Sequence, residues 1–398
     1  MPLTEKEDIL NRGVEEIIVK SEFIDRLNSG QKMRLKMGFD PSAPDIHVGH
    51  AVGLRKLRQL QEIGHQVVLI VGDWTAQIGD PSGRSQTRNM LSIEEVHSNA
   101  QTYLDQFFKI VDKDRTEIRW QSEWFGPFTL TSVIELTSKF TVAQILARED
   151  FAKRFAENQP ISITELLYPL LQGYDSVAIE SDVEFGGTDQ KFNLLVGREL
   201  QQMRGMKAQQ CFIMPLLPGT DGVKKMSKSL GNYIGIDEAP QEIFGKVMSI
   251  PDSLILPYFD WLTDTPTNEI TEIRKSLESQ SVNPIELKKN VAYKLVTDFH
   301  GVKSASLSRD FFEKTVQGGQ APDDMPEYLI PSGDAAAGIK LSNILVGSGL
   351  TSSSGEARRL IEQGAVRINE TQIMQNQPVN QLEKGILRAG RRKYVRLI

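Results

Sequence analysis

Arg34-Leu-Lys-Met-Gly-Phe-Asp40-Pro41, then His47-Val-Gly-His50-Ala51 running on to Ile63-Gly64, then Val67-Val-Leu-Ile-Val71-Gly-Asp73, is the stretch whose reading decides the fold. Arg34 to Phe39 reads as a strand. Ala51 to Ile63 reads as a helix. Leu54, Leu57 and Leu60 face inward, Arg55, Lys56 and Arg58 face outward, and Gly64 is the stop. Val67 to Val71 is a continuous, partly β-branched apolar run, as in a strand buried on both faces. Val183 to Phe185 and Cys211 to Leu217 carry the same signal further on. Strands alternating with helices predict an α/β chain with a doubly wound parallel sheet. Ligands of such sheets bind outside the carboxyl ends of the strands. Asp40, Gly72-Asp73, Gly186-Gly187 and Pro218-Gly219 each fall just after a strand candidate, so the polar motifs gather where that rule puts a site.

Two of those motifs suit a nucleoside triphosphate. His47-Val-Gly-His50 opens a helix, whose free N–H groups and positive end attract phosphate. Gly49 lets a base or ribose approach the backbone, and both imidazoles can donate to phosphate oxygens as their charge rises. Far downstream, Lys225-Met-Ser-Lys-Ser229 lies between Gly219-Thr-Asp-Gly-Val and Gly231-Asn232, which predicts a mobile loop. Lys225 and Lys228 are point charges suited to β- and γ-phosphates. Alone, the first motif is more often two packing histidines and the second a solvated loop. Together, in this order on this fold, they read as two clamps. No G-x-x-x-x-G-K-[ST] loop offers the other common grip, and no third His or Cys stands at zinc-ligand spacing.

The pair resembles that of class I aminoacyl-tRNA synthetases. Gly38-Phe-Asp40-Pro41 and Gly79-Asp-Pro-Ser-Gly-Arg84 narrow the likeness to the tyrosyl/tryptophanyl subgroup. Within it, Ser162-x-x-Glu165 is a capping box opening a helix, on which Tyr168, Gln172 and Asp175 stack along one face. Pro169 is expected to kink that helix or end its first part. This stripe resembles the amino-acid pocket of tyrosyl-tRNA synthetases, in which an acid accepts from the substrate phenol and the Tyr and Gln hold the α-ammonium group. Gly186-Gly187-Thr-Asp189-Gln190 matches the next motif of that family, which touches the ribose and the amino-acid backbone. Asp80 matches a further ammonium ligand. A surface stripe is the plain alternative for the helix.

The resemblance covers nearly the whole chain and implies a Rossmann-like catalytic domain over 1–235, a helical tRNA-contacting domain over 236–320, a linker over 321–338 and a small basic α+β RNA-binding module over 339–398. The linker is visible in its turn formers from Gln317 to Asp334. The module reads as Ile339 to Leu345, a basic helix from Ser354 to Gln363, Gly364, and a strand from Ala365 to Asn369. Its Ala357-Arg358-Arg359-Leu-Ile361 and Gly364-Ala-Val-Arg367-Ile-Asn369 resemble a module shared with ribosomal and RNA-modifying proteins. Charge agrees: Lys340 to Ile398 holds ten Lys/Arg against four Glu, so the tail is +6 while the whole chain is −6.

The implied activity is ATP-dependent ligation of tyrosine to tRNA(Tyr). The tyrosine carboxylate attacks the α-phosphate; it is already a nucleophile, so positioning and charge neutralisation carry the step. The resemblance assigns ATP to Asp40, His47, Gly49, His50, Arg84, Gly187, Asp189, Lys225, Ser227 and Lys228, with Mg²⁺ and no protein-bound metal. It assigns tyrosine to Asp80, Tyr168, Gln172, Asp175 and Gln190, and RNA to Arg358, Arg359 and Arg367. His47, His50, Lys225 and Lys228 are the catalytic set. Asp175 has to separate tyrosine from phenylalanine, since an acceptor left unpaired is costly. One position departs from the pattern of the best-known branch: Lys36 stands where a second phenol-binding Tyr is expected, so that contact comes from elsewhere or is absent. A tryptophanyl-tRNA synthetase, or a non-catalytic RNA-binding protein on a synthetase scaffold, is the alternative.

Cys211 is the one cysteine, so no intrachain disulfide forms, which favours a reducing compartment. The charged N-terminus has no signal-peptide pattern and no apolar run is long enough for a membrane span. A cytoplasmic protein is expected. Apolar Phe128 to Leu146 is a candidate interface, and the family resemblance implies a homodimer.

Overall fold

Strands β1 (Glu16–Ile18), β2 (Arg34–Phe39), β3 (Gln66–Val71), β4 (Thr116–Trp120), β5 (Val183–Gly187) and β6 (Gln210–Met214) form one sheet in the order β1-β6-β5-β2-β3-β4. The computed structural model describes residues 3–41, 46–81, 91–318, 321, 325–330, 339–369, 371–379, 385–390 and 393–398. β2 to β6 are parallel; β1 pairs antiparallel with β6. From β2 the chain winds outward through β3 and β4, then returns to β5 on the other side of β2. The strand order therefore reverses between β2 and β5, which opens a crevice at their carboxyl ends.

The predicted strands recur, β2 with the predicted ends and the others with shifted ones; β6 stops at Met214 rather than Leu217. β1 and β4 are not legible in the sequence. β4 is a sheet edge, half-exposed at every residue, so its sequence lacks a buried-face pattern. The helix predicted from Ala51 starts earlier, at Val48, and runs to Glu62. Its leucines are buried as expected. Arg55 and Lys56 are also buried, contrary to the outward reading. Further elements cover that face. Arg55 pairs with Asp264 and Asp298, and Lys56 Nζ donates to the carbonyls of Asp8 and Ile9 at 2.9 and 3.2 Å. A second layer folded over a helix is invisible in that helix's own periodicity.

Ser162 opens a helix as predicted: its N–H donates to Glu165 at 3.1 Å, and its hydroxyl caps Thr164. The helix then runs unbroken from Ile163 to Ala178 with Pro169 inside it. Pro169 removes one backbone hydrogen bond, and tight packing against helix Lys191–Met203 holds the element together. A Cβ at Gly173 would lie 2.9 Å from Val196 and 3.0 Å from the Gly197 nitrogen, so the two backbones meet there.

The described residues divide into two compact units, Met1–Val302 and Lys303–Ile398. Helices Pro240–Met248, Ile255–Leu262, Thr267–Glu278 and Pro284–His300, which follow β6, lie in the first unit with the sheet. The second holds strands β7 (Glu327–Tyr328), β8 (Ile339–Lys340), β9 (Val366–Ile368), β10 (Thr371–Ile373), β11 (Pro378–Val379), β12 (Gly385–Ala389) and β13 (Lys393–Leu397). Five form a sheet in the order β10-β9-β12-β13-β7. β7 comes from the segment read as linker; the rest of the predicted linker's turn formers fall largely outside the described residues. Helices Leu341–Gly347 and Ser354–Glu362 bury Leu341, Ile344, Leu345, Ala357 and Ile361 against Val366, Leu387 and Val395.

Candidate active site

A cavity of about 310 Å³ opens at the carboxyl ends of β2, β3, β5 and β6. Asp40, His47, Gly49, His50, Asp80, Tyr168, Gln172, Asp175, Gly187, Asp189, Gln190 and Lys225 all line it. Ser227 and Lys228 stand on the adjoining loop. Arg84, with Pro44 and Asp45, lies outside the described residues. Arg358, Arg359 and Arg367 belong to the second unit.

The deep end holds a buried acid. Asp175 is 2% exposed, and burial pushes its carboxyl up to about 7. Lys36 and the hydrogen bonds of Gln121 and Trp124 oppose that rise, and Glu184 adds to it. Gln121 Nε2 donates to both carboxylate oxygens at 3.1 and 2.9 Å, and Trp124 Nε1 donates at 3.1 Å. Gln121 Oε1 accepts from the N–H of Thr75 at 3.0 Å, so the amide is held one way round. Sequence reading missed Gln121, Trp124 and Thr75. They sit after β3 and β4, where the carboxyl-end rule would have drawn attention had β4 been recognised.

Lys36 turns away from this acid. Its ammonium meets Glu184 at 3.0 Å, the Ser176 hydroxyl at 2.8 Å and the Gln172 carbonyl at 2.8 Å. Both ends of that pair are buried, so their charges compensate in a dry setting.

Midway along the cleft, Tyr168 donates to Asp40 Oδ2 at 2.8 Å, and Thr75 donates to Asp40 Oδ1 at 2.7 Å. Burial and the charges of Asp40 and Asp80 raise the Tyr168 phenol well above its ordinary range. Gln190 Nε2 donates to Asp80 at 2.7 Å. Asn193, also missed, links Gln172 and Gln190 from below.

At the mouth, the two distant motifs are stitched together. His47 bridges Gly235, with Val48 N–H donating to Ile234 O at 2.9 Å. His47 N–H donates to His50 Nδ1 at 3.3 Å. Burial lowers His50 to about 4 and His47 to about 2, helped by His50 on His47 and by Lys225 and Lys228 on both. Both rings are neutral at pH 7, and His50 carries its proton on Nε2, a donor. Among the described residues His47 Nδ1 is buried with no hydrogen-bond partner. Its ring lies over Gly49, where a Cβ would come within 2.9 Å of Nδ1; only glycine leaves that room. The lysine loop is tethered rather than loose. Lys225 bridges Pro218, Met226 is buried, and the buried Asn232 accepts from Ser227 N–H at 2.9 Å while donating to Asp221 at 2.8 Å. Lys225 pairs with Asp189 across the mouth. The cleft thus has a cationic, donor-rich rim and an acidic, amide-lined interior. That suits a triphosphate outside and a zwitterion with a hydroxyl within. Among the described residues no cluster of His, Cys, Asp and Glu is arranged to hold a metal ion.

In the second unit, Arg358 and Arg359 are exposed on helix Ser354–Glu362 and Arg367 on β9. Arg388 stands directly opposite Arg367 across the sheet, and the two line a groove with Gly364, Ala365 and Gly390. Like charges directly opposite repel, and Arg388 is held there by the Gly390 carbonyl at 2.9 Å and by the Tyr394 ring. In the sequence Arg388 is distinguished by its charge alone.

Comparison with known proteins agrees. Residues 28–317 match the family of tRNA synthetases class I (W and Y), and residues 318–397 match the tyrosine–tRNA ligase SYY-like C-terminal domain. Tyrosine–tRNA ligase of Dehalococcoides mccartyi strain CBDB1 is 60% identical over 393 residues, 98% of each chain. That of Thermotoga maritima is 48% identical over 394 residues, 99% of this chain and 97% of the relative. A tyrosyl-tRNA synthetase from Archaeoglobus fulgidus, solved with L-tyrosine, shares the fold with a TM-score of 0.63 at 23% identity, over 77% of this chain and 99% of that one.

Proposed function

The chain belongs to the class I tyrosyl-tRNA synthetases, and on that premise we propose that the cleft described above makes tyrosyl-adenylate for an ATP-dependent tyrosine–tRNA ligase. The observation that carries the reading is one buried acid, Asp175, at the floor of a cavity whose rim holds His47, His50 and Lys225. The phenol of tyrosine donates to Asp175, which Gln121 and Trp124 hold in place. The α-ammonium group lies among Asp80, Tyr168 and Gln172, with Gln190 toward the carboxylate. ATP, as its magnesium complex, lies across Gly49 and Gly187, its ribose near Asp189. The carboxylate attacks the α-phosphate and pyrophosphate leaves. Neutral His47 and His50 act as donors to the reacting phosphates. Lys225, Ser227, Lys228 and Arg84 neutralise the departing pyrophosphate, so their contacts strengthen as charge builds. Lys225 leaves Asp189 when the nucleotide enters.

In this reading 1–235 carries catalysis, 236–320 contacts tRNA(Tyr), and 339–398 grips it through Arg358, Arg359 and Arg367, joined by 321–338. Two copies associate through the 128–146 region, where Leu130 is 76%, Ile134 58% and Val142 63% exposed. Exposed apolar surface of that kind marks an interface, and sedimentation should give twice the chain mass. No helix of the described residues is long and apolar enough to cross a membrane; we assign the reaction to the cytoplasm.

Amino-acid-dependent ATP–pyrophosphate exchange tests the proposal. Tyrosine should support exchange and tryptophan should not. Exchange with tryptophan alone would establish the sister specificity, and none with either would leave an RNA-binding protein.

A further inference from the structure

The amides around the middle of the cleft form a chain with one permitted direction. Arg148 is buried and can only donate; its Nη1 meets Asn193 Oδ1 at 3.1 Å. Arg148 is itself clamped by both oxygens of Asp150, at 2.7 and 2.8 Å. Asn193 must therefore turn its Nδ2 the other way, and that nitrogen donates to Gln172 Oε1 at 2.9 Å and Gln190 Oε1 at 3.1 Å. The far ends of both glutamines meet carboxylates, which accept. Gln172 Nε2 faces Glu184 at 3.3 Å and Gln190 Nε2 faces Asp80 at 2.7 Å. Glu184 is held in place by the buried Lys36 and by the Ser176 hydroxyl, each at 3.0 Å. A donor-only group at one end and acceptor-only groups at the other leave no amide free to flip.

We propose that Asn193, oriented by Arg148, is a positioning residue that makes this cleft specific for a cationic α-amino group. Its consequence is directional. Gln172 Nε2 is turned to Glu184 and Oε1 accepts from Asn193 with one of its two lone pairs, so the acceptor side of the amide is what it offers to the cavity. Tyr168 directs its O–H to Asp40, so its oxygen offers only lone pairs to the cavity. With Asp80 these make a pocket of acceptors, which an ammonium group satisfies and a neutral hydrogen or a second carboxylate does not. This rests on the reading that Asp80, Tyr168 and Gln172 receive the substrate nitrogen.

Asn193→Asp reverses the chain at one atom while keeping its shape. Arg148 gains a carboxylate partner, but Gln172 and Gln190 lose their donor and are driven to turn N–H groups toward the cavity. Asn193→Ala removes the donor without reversing it. Equilibrium binding of L-tyrosine and of 3-(4-hydroxyphenyl)propionate, its analogue without the amino group, is measured by calorimetry for the full-length protein and both variants. The wild type should prefer tyrosine. In Asn193→Asp that preference should shrink about 10- to 100-fold, the worth of one hydrogen bond to a charged group, with analogue affinity retained. Asn193→Ala should shrink it less. A packing role predicts the opposite order, because Ala leaves the larger void, and it predicts equal losses for both ligands; that result would overturn the proposal. So would an unchanged preference in Ala alone, should the Asp variant not fold. A wild type that binds both ligands equally would instead sink the reading of the ammonium site itself.

Discussion

Asp175 shows how one residue's surroundings set both specificity and pH response. In the free protein its carboxyl titrates near 7 because burial disfavours the charge. A carboxyl raised in this way adds to fold stability at acid pH, and that contribution is lost as pH rises from the ordinary carboxylate range through 7. Ligand binding runs the other way. The phenol of tyrosine is a donor and favours the carboxylate, whereas phenylalanine brings no donor. The tyrosine/phenylalanine affinity ratio should therefore fall as pH drops from 8 to 6, with a midpoint near 7, and Asp175→Asn should flatten the profile and narrow the ratio by roughly 5- to 150-fold. A wild-type ratio that does not move with pH would mean that another group reads the hydroxyl. Lys36 is not that group, for its three donors are spent on Glu184, Ser176 and Gln172. It makes a separate prediction. Lys36→Met strands Glu184 in the interior and should cost about 3–5 kcal/mol of stability. Adding Glu184→Gln should recover much of it in denaturant melts; a double variant no more stable than the single would place the cost in packing.

At the scale of elements, the helix capped by His47 and the loop around Lys225, closed into a hairpin by the Pro218–Lys225 bridge, are one device. Backbone bonds from Val48 to Ile234 and from Ile236 to Ile46 join them directly. Asn232 holds the hairpin by Ser227 N–H and Asp221, so the lysines are presented from a braced turn. Lys228→Ala should slow adenylate formation by well over tenfold while tyrosine affinity stays put, since a contact to leaving pyrophosphate strengthens only in the transition state. Asn232→Ala should give the same signature more weakly. Pre-steady-state rates measured beside tyrosine titrations decide it; equal losses in rate and affinity would make the hairpin a structural prop for the cleft. The two motifs were legible because each is a run of unusual residues at a strand's end. Their tethers were not. Asn232 follows a glycine like any turn residue, Asn193 looks like an ordinary member of an amphipathic helix, and Arg148 like a charge in the turn before one. Gln121 follows an edge strand that has no pattern to announce it. Buried partners of a motif leave no local trace, because what commits them is contact across the fold. The same holds for Arg55 and Lys56, polar by sequence and covered by elements far along the chain.

For the whole molecule, charge divides where labour divides. The acidic bulk of the chain carries the cleft, and the +6 tail carries exposed Arg358, Arg359 and Arg367 on a small folded unit with its own core. Composition and two short motifs point in the sequence to a module over 339–398; the compact unit begins earlier, at Lys303, and its sheet takes in β7 from the segment read as linker. Its cross-strand Arg367–Arg388 pair was not foreseeable, since the register that opposes them is set by strands whose joining segments differ in length. If the tail is a phosphate grip, its effect is electrostatic and separable from chemistry. Replacing Arg358, Arg359 and Arg367 together with Gln removes three cations from exposed positions, so the fold should be little disturbed. Tyrosine-dependent pyrophosphate exchange should match the wild type. Affinity for tRNA(Tyr) should fall, and the dependence of log affinity on log salt should become shallower by about two to three units, close to one for each phosphate no longer neutralised. Raising salt should then hurt the wild type more than the variant until the two converge. An unchanged slope would mean that these arginines face solvent in the complex and that other cations, Arg388 first among them, hold the RNA. A loss of exchange activity in the same variant would contradict the separation of roles and tie the tail to the cleft.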